Sequence, residues 1–284
     1  MTTTRDRRGF TLVELLTALV LFGIVGTALY QLLVNNQRVY QRQKGQIEAT
    51  QHARAAAFLM PMELRELNPG DPAGSDIVSM SATQIAYKAM RSLYVLCQDP
   101  IVAGLQLVLD GTNVYGLRAL NAGRDSILVF AEADPTTRMD DYWVHGNVTA
   151  VVQGTACPGG RPSLAITLAD LTGALTDVTN GAPVRGFEVV EVQLYQVGTD
   201  WWMGGRTWDK AASAWTALAR IVGPLTAGGL QLTYYDNAGA VTANPANVAR
   251  IAVNVVGQSV LPVRGAYLQE DLVTTASVRN NPTY

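Results

Sequence analysis

Gly9-Phe10-Thr11-Leu12-Val13-Glu14 joins a basic stub carrying Arg5, Arg7 and Arg8 to a long apolar run. The next twenty residues, Leu15 to Val34, hold no charge. An acid just inside such a run is expensive in hydrocarbon, so Glu14 needs a partner or a purpose. An ordinary secretion signal has no use for it, since that needs only a basic start, an apolar middle and a small-residue cleavage site. Gly26-Thr27-Ala28 offers such a site, and a secreted binding protein or hydrolase is one reading of the chain. A permanently anchored protein that keeps Met1 is another.

The apolar part spans Phe10 to Val34, 25 residues, or roughly 37 Å as a helix. That exceeds the ~30 Å hydrocarbon layer and allows tilt. Three arginines on its N-terminal side predict a cytoplasmic start and an exported C-terminal part. The helix continues to about Leu67 with a stripe of Ile47, Ala53, Ala56, Ala57, Met60 and Leu64, predicted to pack on a sheet. Pro61 predicts a kink or local break, and Asn68-Pro69-Gly70-Asp71-Pro72 a firm end.

From Ser75 onward the pattern changes to short alternating segments. Strands are predicted at 127–130, at 187–197 with a bulge or change of face at Val189-Val190, at 230–235 and at 250–256. Trp201–Trp208 and Ala214–Val222 pair as a hairpin through residues 209–213, and an edge strand is expected over 272–279. The fold class is α+β, a long N-terminal helix on a mainly antiparallel sheet.

The 9–14 junction resembles the class III leader of type IV prepilins. The resemblance implies cleavage after Gly9 by a prepilin peptidase and Phe10 as the N-methylated mature N-terminus. It also implies that Glu14 pairs with a neighbouring subunit's α-amine during assembly. A buried carboxylate and ammonium each cost several kcal/mol alone and less when paired. Ala28-Leu29-Tyr30-Gln31-Leu32 lacks the proline that many major pilins carry there. The Trp/Arg-rich hairpin and the Tyr234-Tyr235-Asp236 turn are similar to the large minor pilins of the PilW type and to J-type minor pseudopilins of type II secretion. The chain then divides into a leader (1–9), a transmembrane and filament-core helix (10–34), an amphipathic continuation (35–68) and an exported β-rich domain (69–284). The implied function is a non-enzymatic minor pilin of a type IV pilus, with a minor subunit of a type II secretion pseudopilus or of a DNA-uptake pilus as the alternative. The implied partners are other major and minor pilins and an inner-membrane assembly platform. The implied location is the bacterial inner membrane, single-pass, and then the filament.

Residues 1–9 hold three arginines and one aspartate, so trimming takes the chain from 21 basic and 23 acidic residues to 18 and 22, a formal charge of −4. That balance argues against nucleic-acid binding by bulk electrostatics. Cys97 and Cys157 form one disulfide or remain two thiols; their spacing decides neither, and it is no metal signature. His52 is expected to face solvent or sheet. His145 is expected in a loop with Asp140-Asp141-Tyr142-Trp143, the best site-like grouping outside the leader. No nucleotide, cofactor or metal motif is present. Asp236-Asn237-Ala238-Gly239 has oxygens for calcium but not the ligand series of a calcium loop, and reads as a plain turn. The cluster of Trp201, Trp202, Trp208 and Trp215 reads first as a hairpin packed on the sheet and second as an adhesive surface.

Overall fold

The computed structural model describes residues 11–70, 74–112, 115–134, 136–137, 140–154 and 156–278. Helix α1 (Leu12–Leu64) runs unbroken for 53 residues, about 80 Å. Only its second half is covered: Gly45, Ala49, Ala53, Ala56, Ala57, Met60, Pro61 and Leu64 are buried. Steps of three and four keep these on one stripe. Ile47, expected on that stripe, is 56% exposed. Two residues from both Gly45 and Ala49, it is turned about 200° away, onto the opposite face.

Pro61 does not break the helix. The chain passes it and closes one further turn, in which the Arg65 N–H donates to the Pro61 carbonyl at 3.1 Å. The helix ends three residues short of Leu67, and Asn68 fixes the exit: its N–H donates to Asp76 Oδ2 at 2.8 Å, and its carbonyl accepts the Asp76 N–H at 3.1 Å. Asp71 and Pro72 lie outside the described residues.

Thirteen strands follow among the described residues. They are β1 (Ile77–Met80), β2 (Gln84–Val95), β3 (Gln106–Asp110), β4 (Tyr115–Gly116), β5 (Ser126–Ala131), β6 (Tyr142–Gln153) and β7 (Ser163–Thr172). After them come β8 (Pro183–Val197), β9 (Asp200–Asp209), β10 (Ala214–Trp215), β11 (Ala219–Tyr235), β12 (Arg250–Gln258) and β13 (Gln269–Ser277). One antiparallel sheet runs β13-β12-β11-β9-β8-β5-β6-β7-β3, with β2 on the other edge of β8. The architecture is α+β, a long N-terminal helix packed on a large sheet.

Two apolar clusters build the interior. In the first, α1 packs through Ala56, Met60 and Leu64 against Tyr87, Val190, Leu230, Ile251, Val253 and Val255. The second joins Tyr94, Leu107, Ile127, Val144, Ile166 and Val184, remote from the helix stripe. β2 and β8 contribute to both. The phase change expected at Val189-Val190 is absent from β8, whose pairing with β2 runs unbroken there. It sits on the partner strand instead, where Arg91 is skipped between Met90 and Ser92. Before this bulge the odd residues Ile85, Tyr87 and Ala89 line the first cluster, and after it the even residues Tyr94 and Leu96 line the second. An extra residue shifts the two-residue period by one and flips every later side chain.

The bulge also sends Arg91 into a buried ion network at the seam between the clusters. Glu188, 4% exposed, accepts from Arg91 Nε at 2.6 Å and Arg124 Nε at 2.7 Å, with Arg118 3.2 Å away. Arg91 also reaches Glu63 on α1 at 3.1 Å, and Arg118 grips Asp125 with two bonds of 2.6 Å. Helix end, first cluster and second cluster therefore meet in one set of charges.

The helix comes close to the sheet at Gly257 on β12. A Cβ there would lie 2.2 Å from the Ala49 carbonyl oxygen and 2.7 Å from the Ala53 nitrogen. Small residues on both sides let backbone meet backbone. The predicted tryptophan hairpin is present, with Arg220 opposite Gly204 and Trp215 opposite Trp208. The predicted edge strand is β13, paired residue for residue with β12; Arg279 lies outside the described residues.

Candidate functional site: the free half of the N-terminal helix

From Leu12 to Lys44 no residue of α1 is buried. This segment projects roughly 50 Å and displays its apolar side chains on all sides, with Leu12 75% and Phe22 76% exposed. Its hydroxyls bond inward: Thr17 Oγ1 donates to the Val13 carbonyl at 3.0 Å, and Thr27 Oγ1 to the Gly23 carbonyl at 2.6 Å. Such back-bonding removes the polar cost that a bare hydroxyl meets in an apolar medium. Among the described residues α1 is the one helix long and apolar enough to cross a membrane. Nothing lies within 4 Å of a Cβ built at Gly23 or Gly26, so both are open notches on this surface.

At its start Thr11 and Glu14 form a capping box. The Thr11 N–H and hydroxyl donate to Glu14 Oε2 at 3.0 and 2.9 Å, and the Glu14 N–H donates to Thr11 Oγ1 at 3.3 Å. Reading Glu14 only as an acid in search of a neighbour's amine missed this local partner. The signal was present as Thr-x-x-Glu ahead of an apolar run. Gly9 and Phe10 lie outside the described residues. Thr11→Ala is expected to cost about 1 kcal/mol of local helix stability, read as faster amide exchange in the first turn.

Residues 4–30 match the family model of the prokaryotic N-terminal methylation motif. The N-terminus is of the prokaryotic methylation-motif kind. Comparison with curated proteins and with solved structures finds no match. The match is confined to the leader and the first turns of α1, and the β domain is read from its own geometry.

The remaining candidates take structural places. Cys97 and Cys157 are joined, their Cα atoms 5.6 Å apart, and with Val108 they form a small buried cluster beside β3. His52 Nδ1 lies 3.0 Å from the Gln258 carbonyl, facing the sheet. Asp236 Oδ1 accepts the Ala238 and Ala240 N–H groups at 2.9 and 2.8 Å, ordinary turn chemistry.

His145 is not in a loop. It lies within β6, paired with Leu128 of β5 and 5.7 Å from the Phe187 ring. Asp140 and Asp141 precede the strand; along it Tyr142 takes one face, its hydroxyl donating to Asp177, while Trp143 and His145 share the other, Trp143 against Phe130 and Arg185 and His145 against Phe187. Burial, helped by Lys88 and Lys210, pushes the His145 imidazole down to about 4. A histidine held neutral in the folded state stabilises above its unfolded pKa, and that stability is lost as pH falls from about 6.5 toward 4. His145→Gln is expected to remove about 2 kcal/mol of this acid sensitivity, measured as denaturant midpoints at pH 7 and pH 4.

The tryptophans are half-buried. Trp208 and Trp215 meet edge to face at 5.4 Å, Arg206 covers Trp215 at 5.0 Å and Arg220 covers Trp202 at 5.1 Å. Trp202, Arg206 and Trp208 alternate with Met203 of the first cluster, which puts them on the face turned away from α1. This agrees with a hairpin packed on its own sheet, though on the outer face rather than in the core.

Proposed function

We propose that the chain is a minor pilin, a non-catalytic structural subunit of a type IV pilus. The observation that carries this is the uncovered first half of α1, apolar but for Glu14 and a few uncharged polar residues as far as Val34, placed directly after a methylation-type leader. Lipid satisfies that surface before assembly, and the helices of other subunits satisfy it in a filament core. The second half of the helix, welded to the sheet, carries the β domain on the outside.

In this reading a prepilin peptidase cuts after Gly9, Phe10 becomes the methylated N-terminus, and residues 10–34 span the inner membrane. The partners are then that peptidase, other pilins and an inner-membrane assembly platform. Trimming leaves the Thr11 amide in place, so the capping box survives and holds the Glu14 carboxylate oriented. Glu14 still has acceptor capacity for a neighbour's α-amine. The joined Cys97 and Cys157 support export, because disulfides persist in oxidising compartments.

Mass spectrometry of the protein recovered from cells tests the reading. The expected N-terminus is methylated Phe10; retention of Met1, or loss of residues 10–34, overturns it. Glu14→Ala is expected to insert normally into membranes yet to enter sheared filaments on the order of 100-fold less, because it leaves a buried amine uncompensated. Incorporation equal to wild type refutes the assembly role of Glu14.

A further inference from the structure

The tip that joins β12 to β13 folds back onto α1 just past the apolar segment. Leu268, Ser259 and Val263 crowd Gly45, each 3.2–3.4 Å from where its Cβ would stand. The tip is fixed by its own bonds: Ser259 Oγ donates to the Leu261 carbonyl at 2.9 Å and accepts the Leu268 N–H at 3.1 Å. The Val260 N–H donates to Glu48 Oε2 on the helix at 3.1 Å. Between tip and helix lies a cleft of about 320 Å³ whose walls include Asn35, Arg38, Val39, Arg42 and Arg264. Its lining contains no acid. Among the described residues none of its three guanidiniums is in an ion pair. In a chain of net negative charge, three unpaired arginines around one cleft are a local exception.

Their depth names the occupant. Arg38 and Arg42 follow Val34 by about 6 and 12 Å along the helix, and headgroups extend roughly 5–8 Å beyond the hydrocarbon on each side. Helical side chains lean toward the N-terminus, here toward the bilayer, and arginine stems reach further still. Beside the cleft the tip exposes Val260, Leu261 (69%) and Tyr267, an apolar edge of the kind that beds into a membrane interface.

We propose that this cleft binds the phosphodiester headgroup of an anionic membrane lipid, holding the β domain at a fixed height and rotation on the membrane before assembly. The proposal rests on the membrane-spanning reading above. Arg38 and Arg42 grip the phosphate from the helix, Arg264 closes over it from the tip, and Val39 and Val263 receive the glycerol end of the acyl chains. Arginine suits this role because its fork meets two phosphate oxygens at once.

The test uses the full chain in detergent micelles, titrated with phosphatidylglycerol, phosphatidylcholine or inorganic phosphate and read by native mass spectrometry. Wild type is expected to retain phosphatidylglycerol over phosphatidylcholine. Each Arg→Gln change should weaken retention about fivefold, and R38Q/R42Q/R264Q about 100-fold. Equal retention in the triple variant overturns the proposal. Displacement by equimolar inorganic phosphate overturns the lipid source and marks a free-anion site. Self-association of the full chain that the triple variant loses, without any lipid preference, assigns the cleft to a second subunit and likewise overturns it. Carbonate-resistant insertion into vesicles keeps the two readings apart. A variant that inserts and binds lipid like wild type removes only the headgroup site, whereas a wild-type chain that fails to insert removes the membrane span.

Discussion

Gly257→Ala is expected to loosen helix α1 from its sheet, although it adds a single methyl group. That methyl would stand 2.2 Å from the Ala49 carbonyl oxygen and 2.7 Å from the Ala53 nitrogen. Both obstacles are helix backbone, so no side chain can rotate aside. The helix must move by about an ångström, and Ala56, Met60 and Leu64 then lose their fit against β11 and β12. Overpacking of this type costs about 1–3 kcal/mol, and more where backbone must shift; Gly257→Val should exceed the upper figure. Urea midpoints of the full chain in detergent measure it through tryptophan fluorescence. Gly23→Ala is the matched control, because nothing lies within 4 Å of its added carbon and alanine favours a helix. An unchanged midpoint for Gly257→Ala, alongside the control, would contradict the close approach.

Glu188→Gln should be the most damaging exchange of nearly equal volume in the β domain. The carboxylate it replaces accepts from Arg91 and Arg124 and lies 3.2 Å from Arg118. Removing one member of a buried ion cluster leaves charge uncompensated and costs about 3–5 kcal/mol. Arg118 keeps Asp125 and Arg91 keeps Glu63, so the lower part of that range is expected. Burial pushes the Glu188 carboxyl up, but the three arginines outweigh it and hold it below the usual carboxylate value. A carboxylate with a lowered folded pKa stabilises above its unfolded pKa and loses that contribution as pH falls through the folded value. Wild type should therefore weaken below about pH 4.5, and Glu188→Gln should lack that part of the slope. A variant with wild-type stability at pH 7 and an unchanged acid limb would show that the network contributes nothing.

The helix was legible because its signals are long-range and redundant: a charge-free run, a basic flank and a small-residue stripe. Ile47 was misread because it is apolar, and only its angular position relative to Gly45 and Ala49 excludes it. β2 was not legible as a strand, since its apolar period changes phase at Arg91 as it passes from one cluster to the other. The phase change was placed three positions away on β8, on the wrong partner, because a bulge and its unbulged neighbour disturb the same stretch of sheet. β6 was hidden by the acidic pair ahead of it, which made Tyr142 to His145 read as a loop. The capping box was in plain view, yet the charge of Glu14 drew attention from its spacing to Thr11. The arginine cleft brings residues 38 and 42 to residue 264, and no local pattern announces a contact across more than two hundred positions.

The helix seats itself chiefly on β11, β12 and β13, the last strands of the chain, while β5, β6, β7 and β3 continue the sheet from the other end of β8. A tug entering at the first residue is therefore shed into the final third of the polypeptide, and the middle third rides as unloaded cargo. Loops of that outer lobe are free to lengthen or change their chemistry without weakening the tether.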